Sequence, residues 1–133
     1  MKIFVRLKIT FNNEDEPEIE DVLKLLIDRK WSKGDIRPNT QIVEKTGGFI
    51  LSSGIDKDDP LDQHLSALLL RITKASAQAI KKLSETNTVE VLCAIYADKI
   101  PSMYVDASRV DGIARLGANL DIDLYLTSET GPP

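Results

Sequence analysis

A single cysteine, a single histidine and a single tryptophan stand in a chain of 133 residues, and aromatic residues make up only 5% of it. One cysteine, Cys93, leaves no intrachain disulfide and no CxxC motif. One histidine, His64, excludes multi-histidine metal centres, HExxH helices among them. Gly47-Gly48 lies between two β-rich runs instead of at a strand-to-helix turn, so neither a P-loop nor a dinucleotide fingerprint is present. No apolar run approaches the roughly 18–20 residues that span a bilayer. Arg6 and Lys8 interrupt the apolar residues of the first segment, so no signal peptide is expected. So few thiols and no secretory signal point to a reducing, cytoplasmic location. No cofactor, metal or membrane is called for.

What is present is an ordinary acidic composition: 42% hydrophobic, 29% charged, net charge −4. The length fits one domain, taken as residues 1–127, followed by a frayed tail at 128–133. Ile3, Val5, Leu7, Ile9 and Phe11 alternate with polar residues and predict a half-buried first strand. Ile19, Val22, Leu23, Leu26 and Ile27 recur at helical spacing after Pro17 and predict an amphipathic helix over 17–29. Thr40–Lys45 and Phe49–Ser53 around Thr46-Gly47-Gly48 read as a hairpin. A second helix is expected from Pro60, with Asp59 as its cap and Leu61, Leu65, Leu68, Leu69 and Ile72 as its apolar stripe; a third covers 75–83. Val89–Ala97 reads as a central strand covered on both faces, and Met103–Val105 as a short one. Asp106 or Ser108 can cap a last helix that ends at Gly117, before a final strand in which Leu120, Ile122, Leu124 and Leu126 alternate with Asp121, Asp123 and Tyr125. The order β-α-β-β-α-α-β-β-α-β implies an α+β fold, a mainly antiparallel mixed sheet with helices packed on one face. A β-α-β crossover is expected within residues 103–126.

Several pieces appear in one order along nearly the whole chain: Trp31-Ser32-Lys33-Gly34-Asp35, Gly48-Phe49-Ile50-Leu51-Ser52-Ser53, His64-Leu65, and Leu120-Asp121-Ile122-Asp123-Leu124-Tyr125. In this the chain resembles the domain of unknown function family 4279. The resemblance implies a small, mostly bacterial, cytoplasmic protein without an established activity. It also implies, loosely, a role near toxin–immunity systems. It carries over no catalytic residue.

The candidate binding residues are Trp31, Lys33, Asp35, His64, Asp121 and Asp123. Trp31, Lys33 and Asp35 offer an indole beside opposite charges; equally, Trp31 can pack under the first helix while Asp35 bonds turn amides. His64 would need Ser52, Ser53 or Cys93 as a nucleophile and an orienting acid, but no nucleophile elbow places them together. Its structural alternative is a hydrogen bond to the Ser52-Ser53 strand. Asp121 and Asp123 share one strand face, either as a carboxylate pair or as its wet side. Asp56, Asp58, Asp59 and Asp62 lack the register of a calcium loop.

The six acids of Glu14–Asp21 precede Lys24, Arg29, Lys30 and Lys33, the order of signs that a helix dipole favours. The acidic stretch could also receive a basic protein partner, and the cations are too few and too mixed with acids for a nucleic-acid groove. The leading expectation is therefore a non-enzymatic protein-binding domain of immunity or accessory type. The alternatives are an enzyme or small-molecule binder using His64 with Ser52, Ser53 or Asp35, and a homodimer joined through a strand edge or the Tyr125 face.

Overall fold

The computed structural model describes residues 1–127; the tail read at 128–133 lies outside them. Alternation sets the first strand, β1 (Lys2–Thr10): Ile3, Val5, Leu7 and Ile9 are buried and the residues between them are not. Strand β4 (Thr88–Ala97) repeats the pattern with Val89, Val91, Cys93 and Ile95. The two pair antiparallel with Ile3 opposite Ile95 and Val5 opposite Cys93, so both apolar rows point to one side. On that side lie α2 (Leu61–Arg71), α3 (Lys74–Leu83) and α4 (Ala107–Arg115), with α2 packed on β1, α3 on β4 and α4 on β5 (Asn119–Leu126). The fold is α+β.

Five strands form one mixed sheet in the order β2-β3-β1-β4-β5, where β2 is Arg29–Trp31 and β3 is Gly48–Ser52. All neighbours are antiparallel except β4 and β5, which run parallel through α4. The crossover thus starts from β4; Met103–Val105, expected to be its first strand, is irregular. Asp106 caps α4 by accepting from the Arg109 amide, and Gly117 closes it at φ +67°.

Three other expectations are corrected. The helix expected over 17–29 shrinks to α1 (Asp21–Lys24). Ile19 and Leu23 still bury their side chains, but from Asp28 onwards the backbone bonds to β3 and becomes β2. Inter-strand hydrogen bonds outweigh the local helical spacing there. The hairpin of Thr40–Lys45 with β3 does not form: β3 lies between β2 and β1, and segment 32–47 folds back on itself around the bridge of Ile36 to Val43. Ile36, Ile42 and Val43 are exposed, so that segment has no apolar face with which to join the sheet. Asp59 does not cap α2; Pro60 occupies the cap position, and it has no side-chain acceptor to cap the first turn.

β4 is also covered on one face only. Its alternate residues Leu92, Ala94 and Tyr96 stay half-buried because every helix lies on the other side. No helix among the described residues is long and apolar enough to cross a membrane.

Candidate functional site

The structure separates the six candidate residues into three places. His64 points into the core from α2, 1% exposed, with Nδ1 2.7 Å from the Ser53 hydroxyl. This is the structural alternative read for it, a hydrogen bond to the end of β3. Its Nε2 is buried without a partner. Burial holds the imidazole below its ordinary pKa, against the opposing pull of the Asp56 carbonyl and the Asp59 and Asp56 carboxylates. His64 lines none of the principal surface hollows, so no substrate in them reaches the ring. Asp35 does not approach it: Trp31 pairs with Gly48 at one end of β3 while Ser53 follows the other end, about 16 Å away at the rise of a strand.

Lys33 and Asp35 lie in the turn after β2. The Asp35 carboxylate accepts from the Ser32 amide at 2.8 Å, and Lys33 pairs with Glu14 at 3.3 Å. Both charges are thereby used in shaping the loop.

Trp31, Asp121 and Asp123 share the remaining place, the sheet face that carries no helix. Strand register puts Trp31 beside Gly48 and Thr10 on β2's side of that face. Asp121 aligns with Leu92 and Asp123 with Ala94 on the opposite edge strand. Trp31 is buried, yet it stands outside the hydrophobic core. It does not pack under the first helix. Its indole lies flat on β3, where a Cβ on Gly48 would come within 2.7 Å of the ring, and Nε1 donates to the Thr46 carbonyl at 3.1 Å. Arg29 and Lys8 cover the ring at 5.4 and 5.8 Å from its centroid. Arg6, Arg37 and Glu44 complete this corner, with Arg37 held to Glu44 at 3.0 Å. That bond, aided by the field of Lys8 and Arg29, keeps the Glu44 carboxyl below its ordinary pKa.

An aromatic row crosses the same face at the other end of the strands. Tyr96 meets Phe4 edge-on at 6.1 Å and stacks on Tyr125 at 4.8 Å. Phe4 is 48% exposed and Tyr125 46%. A shallow trough runs beside this row past Arg6 to Asp123. The face therefore presents cations at the β2 side, carboxylates at the β5 side and exposed rings at one end.

Sequence reasoning missed Phe4, Arg6, Lys8 and Arg29. The alternation of β1 places Arg6 and Lys8 on its polar face, and that signal was available. The spacing of Ile19 to Ile27 predicts a helix that runs through Arg29, which hides its place beside Lys8.

Three of the six acids of Glu14–Asp21 are matched within the chain: Glu14 with Lys33, Glu16 with Lys30, Asp21 with Lys24. A further hollow of about 430 Å³ lies between the start of α2 and segment 101–106. Its cation, Arg109, binds Asp106, Ser66 and the Asp62 carbonyl, so its charge is already used.

No curated protein and no solved structure matches the chain. A family model described as "Domain of unknown function (DUF4279)" matches residues 1–127.

Proposed function

The chain belongs to that family of domains of unknown function, and we propose that it is a non-enzymatic protein-binding domain whose helix-free sheet face receives the partner. One observation carries this reading: the face keeps Phe4 and Tyr125 about half exposed, in a ring cluster beside charged groups. Rings set among charges are the composition of binding surfaces, where they supply contact area at low entropic cost. The seclusion of His64 removes the support for a hydrolytic centre built on it. A basic partner segment would find Asp121 and Asp123; an immunity or accessory role in a cytoplasm would be a special case of the same binding.

The test is affinity capture from native cells with the wild-type chain beside Phe4→Asp and Tyr125→Asp. A stoichiometric protein recovered by the wild type and lost with both variants supports the reading. Recovery of none, or equal recovery by the variants, overturns it.

A further inference from the structure

Three cations on the helix-free face, Arg6, Lys8 and Arg29, form no ion pair among the described residues and lie side by side. They stand together in a chain whose net charge is −4. Arg6 and Lys8 are two residues apart on one side of β1, about 6.8 Å along the strand. Lys8 and Arg29 flank Ile50 in one row across three strands, so their backbones are about 9.6 Å apart. Glu44, which Arg37 holds, and Glu90, opposite Lys8 on β4, are the acids nearest to them; four cations with Arg37 outnumber these two, and an anionic ligand would relieve the excess.

We infer that this corner receives an extended acidic segment of a partner protein, with carboxylates at alternate positions meeting Arg6 and Lys8 and a further one reaching Arg29. The inference rests on the binding-domain reading and names the chemistry of its partner. Alternate side chains of an extended chain recur at about 6.8 Å, the same spacing as the two cations of β1. Arginine takes carboxylates in a bidentate fork, which sets the orientation as well as the strength of the contact. A nucleic-acid strand fits less well. Trp31 is only 8% exposed and its ring is covered by Lys8 and Arg29, so it offers no base a stacking platform.

Trp31 is the only tryptophan of the chain, so its fluorescence reports directly on this corner. The probe is an acetylated five-residue peptide of alternating aspartate and alanine, titrated at low ionic strength. The expected result is a saturable change that salt weakens, with affinity reduced about tenfold or more in Arg6→Glu and in Arg29→Glu. Arg29→Gln, a milder change, weakens it less, and Lys81→Glu on α3 leaves it unaltered. The inference is overturned by the absence of saturable change, by equal binding to the Glu variants, or by equal or tighter binding of inorganic phosphate or a single-stranded oligonucleotide. If the titration fails while Phe4→Asp and Tyr125→Asp still abolish capture, the acidic-segment inference falls and the binding-domain reading stands.

Discussion

The hydroxyl of Ser53 lies 2.7 Å from Nδ1 of His64, and both side chains are buried between the end of β3 and α2. The pair joins sheet to helix layer through a polar contact inside a mainly apolar core. Burial holds His64 below its ordinary pKa of 6.5. The unfolded chain therefore takes up a proton at a pH where the folded chain does not. Stability is complete above about 6.5 and falls as the pH drops below it. Urea midpoints measured from about pH 7 to about pH 5 are expected to decline in the wild type and to flatten in His64→Gln, which cannot titrate. An equal slope in both would show that His64 is not the group responsible.

Gly48 has no Cβ because two neighbours occupy the space. The Trp31 ring and the Ile9 carbonyl oxygen would both meet it. Gly48→Ala is expected to cost about 1–3 kcal/mol as overpacking, read in denaturant melts. It should also shift Trp31 emission, because the indole must lift from β3. An unaltered spectrum with unaltered stability would contradict this account of the close approach.

Cys93 lies in the buried row of β4, and burial, aided by Asp121 and Asp123, pushes its thiol up to about 12. At about pH 8 roughly one thiol in ten thousand is then thiolate. Alkylation of the native protein is expected to be far slower than in denaturant, with a rate that follows unfolding. Rapid native labelling would place the thiol elsewhere than in the core.

Arg71 ties the end of α2 to the sheet. Its guanidinium donates to the Ser52 carbonyl and stands 3.1 Å from the Asp28 carboxylate. Burial raises the Asp28 pKa, but hydrogen bonds from Arg71 and the Ser52 amide outweigh it, and the carboxyl lies below its ordinary 3.8. Its contribution is present above 3.8 and is lost as the pH falls through the folded value. Arg71→Ala is expected to cost about 1 kcal/mol, a small figure because the pair is partly solvated. An NMR titration of the Asp28 carboxyl should move upward in this variant; an unmoved titration would rule out the coupling.

Legibility along the chain followed how locally each element is stabilised. β1 and the row Val89 to Ile95 were readable because alternation along a strand is itself the burial pattern. α3 was readable from its own apolar spacing, and the Asp106 cap and Gly117 stop of α4 from theirs. Arg29–Trp31 was not. Three residues pair with β3 across a loop that makes no regular structure, and nothing within three residues announces that partner. Of the candidate site residues, the bond of Asp35 to the turn amide and that of His64 to Ser53 are both legible from the local sequence. The corner around Trp31 is not, since it needs side chains from β1, β2 and the loop before β3.

The amino-acid sequence alone determined the class of fold, the apolar rows of its longest strands and the helix ends that carry their own caps. Those features depend on residues a few positions apart, whose spacing specifies a periodicity. Tertiary structure alone decided that β3 lies between β2 and β1, that His64 is sealed from solvent, and that Lys8 and Arg29 converge on one indole. Each of these depends on contacts between distant segments, where the burial and hydrogen bonding of the whole sheet outweigh local preference. The scarcity of cysteine and histidine narrowed the chemistry, and the helix-free face is where the remaining charge and aromatic surface are gathered.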